Sequence, residues 1–448
     1  MWVVLLVSLI VAVSYWAVII YQGYVFPKKV KLIRDLIDEQ KYTEARETLE
    51  RLPASQRDDP MAKWLISQVH LAEGQFILAM VALQDVLKRR RYTLDLKEHQ
   101  VHEALAVCYE KTGRLKESIL ELQFALHLKP DNFDALYTVG KLYYEQKNYT
   151  LCEQFLSRAS KINPRNPHVF YMLGMIAIYQ QDIKRAIDMF TACTIYDAGF
   201  HKAYLELGRL YFELKDYVRA QKNFSYAKMN PDCRKEASIH EGFALHNMHE
   251  YESAVSILKD ALPLFSENDK QYLQTLEILS ECYLQLRNLE EVRVIWDTIL
   301  KINPSHPDTK AYMALFKNVF DNAKLAAFFS MPAEKFEFFV KRFLEDFDFF
   351  IENIEVKSDN EILASCQKNK MGQMKNSFIV LFNRTPHLIG VEELRELFIM
   401  IKNKRATQAY VLTPFDFHEE CHQFITSRPV DLVSGERLVK ALSGEDIF

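Results

Sequence analysis

Small residues recur every 34 residues through the middle of this chain. The recurring positions are Gly140, Gly174, Gly208 and Gly242, and Ala106 lies one period earlier. A small, a large and a second small residue follow each of them after twelve, sixteen and nineteen residues, as Cys152, Leu156 and Ala159 follow Gly140. A fixed period of this length indicates stacked units, because one unit cannot bury its apolar face alone. The sequence therefore predicts an array of helical hairpins.

The composition favours a mainly helical protein. Of the 448 residues, 49% are hydrophobic and only 12 are Gly, which excludes a disordered chain and argues against Gly-rich phosphate loops. The net charge of -4 is too small to make the whole chain an electrostatic binder of nucleic acid. The seven cysteines form no CxxC pair and the histidines no paired metal spacing. We therefore predict no cofactor and no metal site.

The repeated pattern resembles that of the tetratricopeptide repeat family, whose unit is a pair of helices. The resemblance covers residues 28–320 and implies an α-solenoid of about eight helical hairpins. In such a hairpin the small residue lets the two helices approach closely, and the apolar residue before it fills the seam. The resemblance implies the family's usual role, which is to hold a peptide segment or another protein.

By the same resemblance, the first helix of each hairpin lines a concave groove. Nine residues predicted to face this groove combine aromatic rings, a methionine and cations, namely Tyr137, Lys141, Tyr144, Tyr171, Met175, Lys202, Arg209, Phe212 and Phe243. This mixture favours a peptide that carries apolar anchors and Asp or Glu. The alternative is that the aromatic residues pack between repeats.

The N-terminal residues carry no charge before Lys28, and residues 3–20 are almost continuously apolar. Such a stretch reaches across most of a bilayer core. A cleaved secretory signal is the alternative, but no positive residue precedes the apolar run. The sequence thus predicts a transmembrane anchor over residues 1–27, with lipid contact through residues 2–25. Because positive charge follows the anchor on one side, we expect a single-pass protein of the bacterial inner membrane, mostly cytoplasmic.

After the repeats, the sequence shifts to a Phe-rich helix over residues 332–347, followed by short strands and helices. The expected order is α-β-β-β-α-β-α-β-α, which gives a mixed sheet flanked by helices. In the segments PAEKFEFFVKRFLEDF, SDNEILA, FIVLFN and VDLVSGERLVKAL, residues 331–442 resemble an Mrr-type restriction endonuclease domain. We therefore predict an α/β nuclease-like domain over residues 331–448.

In that family, cleavage uses an acidic residue at the start of the second strand, and a Gln or Glu followed two residues later by Lys on the third. The matching positions here are Glu361, Leu381 and Asn383. Because Leu381 cannot ligate a cation and Asn383 carries no charge, we predict a nuclease fold without catalytic residues.

The predicted function is that of a non-enzymatic, membrane-anchored scaffold or adaptor that binds partner proteins in its repeat groove. One alternative is a membrane-tethered nuclease of the Mrr type. Another is a nucleic-acid-binding protein without cleavage, a partner class that the sequence allows but does not favour.

Overall fold

The computed structural model describes residues 2–20, 25–89, 92, 96–267, 269–368 and 376–445. Within the first helix it describes the side chains of residues 6–16. The chain divides into two units, Met1–Ala203 and Tyr204–Phe448.

The first unit consists of helices. Their bounds are α1 Trp2–Ile20, α2 Phe26–Asp38, α3 Tyr42–Glu50, α4 Ala54–Arg57, α5 Pro60–Ala72, α6 Phe76–Arg89, α7 Glu98–Lys111, α8 Leu115–Leu128, α9 Phe133–Glu145, α10 Tyr149–Ile162, α11 Pro167–Tyr179 and α12 Ile183–Tyr196, and α13 His201–Glu213 runs across the division. From α5 onwards, consecutive helices of this unit pack in pairs, α5 with α6, α7 with α8, α9 with α10 and α11 with α12. This arrangement is the helical-hairpin repeat that the 34-residue period predicts.

The turns inside the hairpins follow from local chemistry. Lys147 and Gln181 end the first helix of their hairpins in the left-handed region, with φ of 58° and 60°. An Asn or Asp then caps the second helix: Asn148 Oδ1 accepts a hydrogen bond from the Leu151 amide at 3.2 Å, and Asp182 Oδ1 one from the Arg185 amide at 3.0 Å. In these two hairpins, residues of the turn thus end the first helix and begin the second.

The periodic glycines lie where the two helices of a hairpin approach most closely. A Cβ atom added at Gly140 would lie 2.8 Å from Leu156 Cδ2, and one added at Gly174 would lie 2.7 Å from Phe190 Cε1. Leu156 and Phe190 are fully buried. The small residue and the large residue sixteen positions later therefore form one packing pair.

The transmembrane helix predicted over residues 1–27 is not found. Residues 2–20 form α1, but within the described part of the chain no helix is both long and apolar enough to cross a membrane. The described side chains of this helix, those of residues 6–16, are all exposed. Residues 1 and 21–24, on which the prediction of lipid contact partly rests, lie outside the described residues.

The second unit continues the helices and ends in a sheet. Its helices are α14 Tyr217–Ala227, α15 Pro231–Asn247, α16 Tyr251–Ala261, a 3₁₀ helix Leu262–Leu264, α17 Lys270–Gln285, α18 Leu289–Ile302, α19 Pro307–Leu315, α20 Lys317–Asp321, α21 Ala323–Ser330, α22 Ala333–Asp346, α23 Val391–Lys404, α24 Glu419–Ile425 and α25 Gly435–Ala441. Its strands are β1 Phe349–Ser358, β2 Glu361–Lys368, β3 Asn376–Asn383, β4 Gln408–Leu412 and β5 Val430–Val433.

The five strands form one mixed sheet in the order β1-β2-β3-β4-β5. The first three strands are antiparallel, and β3, β4 and β5 run parallel. Alternate residues of β2, β3 and β4 point to opposite faces, so that one face packs against α22 and α25 and the other against α23 and α24. The C-terminal elements thus follow the order expected from the sequence. Residues 369–375 and 446–448 of the predicted domain lie outside the described residues.

Candidate functional site

In the first unit, aromatic rings on α9, on α11 and just before α13 form a row. The Tyr137 ring on α9 lies 6.5 Å from that of His168 on α11, measured between centroids. The ring of Phe200, just before α13, lies 5.2 Å from His168 and 5.1 Å from Tyr171. Tyr137 and Tyr171 are half-buried, as is Met175 on α11. The rings therefore pack between repeats and also keep part of their surface exposed.

A second tyrosine cluster surrounds Tyr144 at the end of α9. Its ring lies 5.6 Å from that of Tyr149, which in turn lies 4.0 Å from Tyr179. The side chain of Tyr179 is 66% exposed. Neither Tyr149 nor Tyr179 is among the predicted groove residues, although Tyr179 comes four residues, about one helical turn, after Met175 and could have been found by extending that helix face.

Two of the three predicted groove cations already have acidic partners. Lys141 Nζ lies 3.2 Å from Glu110 Oε1, and this hydrogen bond raises the pKa of Lys141 above its ordinary value. Arg209 binds Glu206 at 2.9 Å and also binds Glu236. Lys202, by contrast, is exposed and has no acidic partner among the described residues. Of the three predicted groove cations, Lys202 is therefore the one that no described carboxylate neutralises.

The predicted aromatic residues of the second unit are half-buried. The Phe212 ring lies 5.3 Å from Tyr217, and the Phe243 ring lies 6.0 Å from His240. Near Arg209, burial raises the pKa of Glu206, although the guanidinium opposes this shift. This part of the repeats thus carries rings beside a largely neutralised charge cluster.

The three nuclease-like positions lie at one end of the β2–β3 pair. Glu361 pairs with Asn383 across the two strands, and Leu363 pairs with Leu381. Glu361 forms an ion pair with Lys357 at 2.9 Å, whereas Leu381 is buried in the apolar core between the sheet and α23. Glu361 and Asn383 therefore lie side by side on adjacent strands, and Leu381 lies two residues further along β3.

The described side chains at this end of the sheet do not form a metal site. Asn383 is 3% exposed, and its Oδ1 accepts a hydrogen bond from the Thr385 amide at 2.8 Å. Throughout the described residues, no group of three or more His, Cys, Asp or Glu side chains is placed to hold a metal ion. Of the three positions, Glu361 alone offers a carboxylate ligand.

A buried arginine that the sequence analysis missed follows directly after Asn383. The side chain of Arg384 is fully buried, and burial together with the nearby Arg287 lowers its pKa to about 9, so it remains charged at neutral pH. Its Nη1 donates to Met331 O at 2.5 Å, and its Nη2 donates to Asp359 O at 2.7 Å. The guanidinium carbon also lies 3.9 Å from the centre of the Phe336 ring. Arg384 could have been found from the sequence as a basic residue that directly follows an apolar strand.

Arg287, in the turn between α17 and α18, holds the same region from the repeat side. Its Nη1 donates to Phe329 O at 2.7 Å, and its Nη2 donates to Asn360 Oδ1 at 2.5 Å. Burial lowers the pKa of Arg287, while Asp359 opposes this shift. The β1–β2 turn at Asp359 and Asn360, which leads into Glu361, is therefore held by two arginines.

Comparison with known proteins agrees with both parts of this architecture. Tetratricopeptide repeat families match residues 30–91, 133–166 and 171–227. A restriction endonuclease family, Mrr_cat, matches residues 328–442. The chain thus combines tetratricopeptide repeats, a class of domain that binds other proteins, with a C-terminal restriction endonuclease-like domain.

Individual relatives match parts of the chain. The Protein CTR9 homolog of Arabidopsis thaliana is 30% identical over 122 residues, which are 26% of this chain and 11% of that protein. The Type IV pilus assembly protein PilF of Pseudomonas aeruginosa is 26% identical over 157 residues, which are 35% of this chain and 60% of that protein. A solved structure of Pseudomonas aeruginosa pilF covers 48% of this chain and 95% of its own, with 21% identity and a TM-score of 0.40. The chain therefore spans less than two thirds of these curated relatives.

Proposed function

We propose that this protein is a scaffold or adaptor that holds a segment of a partner protein against its repeat helices. The observation that supports this most is the row of partly exposed rings from Tyr137 to Phe200, next to the exposed Lys202, which has no acidic partner within the described part of the chain. Aromatic rings are enriched at the centres of protein interfaces, and a charge beside them selects the partner. The proposed ligand is an extended or helical peptide with apolar anchors and Asp or Glu.

We also propose that the nuclease-like domain has no catalytic role. A nuclease of this family needs carboxylates that hold a metal ion and a lysine that stabilises charge on phosphoryl oxygens. Leu381 lies in the apolar core and Asn383 is a buried amide that is engaged by the chain itself, which supports the proposal.

Membrane attachment through residues 1–27 is a further part of the proposal, with the bulk of the chain on the cytoplasmic face of a bacterial inner membrane. Its support is the absence of charge before Lys28 and the exposed apolar side chains of residues 6–16. We expect protease added to intact spheroplasts to leave residues 28–448 uncut, and the same protease to digest them after lysis. Digestion in intact spheroplasts would reverse the proposed topology.

Partner binding is tested at Tyr137 and Lys202. A photo-crosslinking residue at position 202 of the full chain should first identify the partner in cells. With that partner purified, the double variant Tyr137→Ala/Lys202→Glu should weaken the affinity by about tenfold or more, because loss of an interface anchor costs over about 1 kcal/mol. The effect of Lys202→Glu alone should shrink as salt is added.

The matched control is Lys161→Glu, which changes an exposed lysine on α10, a second helix of a hairpin. This variant should bind the partner as the unchanged protein does. Equal affinities for the double variant and the control would remove the ring row as the binding site.

A further inference from the structure

The last repeat of a stacked array has an apolar face with no following repeat to cover it. In this chain that face includes Trp296 on α18, which is 1% exposed. Its ring lies 5.5 Å from Tyr312 on α19 and 5.3 Å from Phe316. So large a cluster of rings must be covered from outside the repeats to exclude water.

The nuclease-like domain supplies that cover. Phe415, in the segment between β4 and α24, packs in the core of the last repeats and not in the core of its own sheet. Its ring lies 4.9 Å from Phe316 and 5.6 Å from Phe329, and the residue is 1% exposed. The terminal repeats and the sheet domain therefore share one core.

Polar contacts join the same two parts beside Glu361. Arg287 of the repeats donates to Asn360 Oδ1 and to the carbonyl oxygen of Phe329, whereas Arg384 donates within the sheet domain, to the carbonyl oxygens of Met331 and, at 3.4 Å, of Phe328. Arg287 is thus bound by groups on the far side of the junction. The turn that leads into Glu361 is occupied by these contacts.

The position of Arg384 explains why this cation cannot serve a phosphate. Successive residues of a strand point to opposite faces, so a cation one residue after position 383 lies on the opposite face from a lysine at position 383. On that face the guanidinium is fully buried over the Phe336 ring of α22 and is occupied by backbone carbonyl oxygens.

From these contacts we propose that the nuclease-like domain is the C-terminal cap of the repeat array. The end of its sheet that carries Glu361 and Asn383 is a docking surface for the last repeats of the same chain and not for a nucleic-acid backbone. The ring row of the first unit plays no part in this proposal. The proposed cap can therefore be tested independently of the proposed partner binding.

The cap is tested by the fluorescence of Trp296 in the full chain. The four tryptophans are Trp2, Trp16, Trp64 and Trp296, and changing the first three to Phe leaves Trp296 as the reporter. In this background, Phe415→Ala should shift the Trp296 emission to longer wavelength. It should also lower the midpoint of thermal unfolding, followed by Trp296 fluorescence, by about 5 °C or more. Phe415→Leu, which keeps an apolar side chain, should recover most of both changes.

The control is Phe350→Ala, which removes a ring that is 73% exposed on β1 of the same domain. It should leave the Trp296 emission and midpoint unchanged. An unchanged Trp296 signal in Phe415→Ala would overturn the cap.

Duplex DNA, added to the unsubstituted chain with and without Mg²⁺, should neither bind nor be cut. Tight, strongly salt-dependent binding or metal-dependent cleavage that Glu361→Ala abolishes would overturn the docking role of this surface.

Discussion

Replacing Gly208 by alanine should lower the free energy of unfolding of the repeats by about 2 kcal/mol. A Cβ atom at this position would lie 2.5 Å from Phe224 Cε1 and 2.6 Å from Cδ1, and the Phe224 ring is rigid and fully buried. The helix propensity of alanine returns about 1 kcal/mol, which is less than so severe an overlap costs. Urea unfolding followed by far-UV circular dichroism measures the difference.

The matched control is Gly140→Ala, where the added Cβ atom meets the end of the Leu156 side chain at 2.8 Å. Leucine can rotate away, and the repeat before already pairs an alanine with a leucine at the same spacing, as Ala106 and Leu122. This substitution should cost less than about 1 kcal/mol. The double variant Gly208→Ala/Phe224→Leu should likewise recover stability, and a double variant as unstable as Gly208→Ala would contradict the assigned packing pair.

Replacing Arg384 by methionine should cost about 3 kcal/mol of unfolding free energy. The change keeps an unbranched side chain but leaves the buried carbonyl group of Phe328 and the partly buried ones of Met331 and Asp359 without their donor. Unsatisfied buried polar groups cost about 1–3 kcal/mol each, and the contact with the Phe336 ring is lost as well. Chemical unfolding of the full chain gives the value.

Arg395→Met is the control, because this arginine lies on the exposed side of α23 and pairs with Glu392. An exposed pair contributes about 0–1 kcal/mol, so stability should change little. Arg384→Lys keeps the charge but presents fewer donors and should fall between the two. If Arg384→Met were no less stable than Arg395→Met, the carbonyl contacts of Arg384 would not stabilise the fold.

The hairpins could be predicted because their determinants lie close together in the sequence. A glycine and the large residue sixteen positions later, such as Gly174 and Phe190, are joined by a single hairpin turn, so their spacing is fixed by geometry. The strands β3, β4 and β5 could be predicted for a similar reason, since each is a short apolar run between turn residues.

Charges were harder to interpret, because their partners lie one repeat away. Lys141 pairs with Glu110, which is 31 residues earlier, and Arg209 pairs with Glu236, 27 residues later. From the sequence alone, Lys141 and Arg209 are predicted to be available to a ligand. A comparison of charges separated by about one period would have indicated these pairs. The partners of Arg384 are mostly backbone carbonyls, which leave no mark in a sequence.

The contacts that Arg287 and the ring cluster around Trp296 make with the sheet domain bear on how such a chain can change in length over evolution. Both residues belong to the last repeats, and both contribute to the junction with that domain. An added or deleted 34-residue unit that lies well before α17 leaves this junction intact. A unit inserted between α18 and α21 would separate Arg287 from Asn360 and Trp296 from Phe415. The array is therefore free to lengthen or shorten only on the N-terminal side of its final repeats.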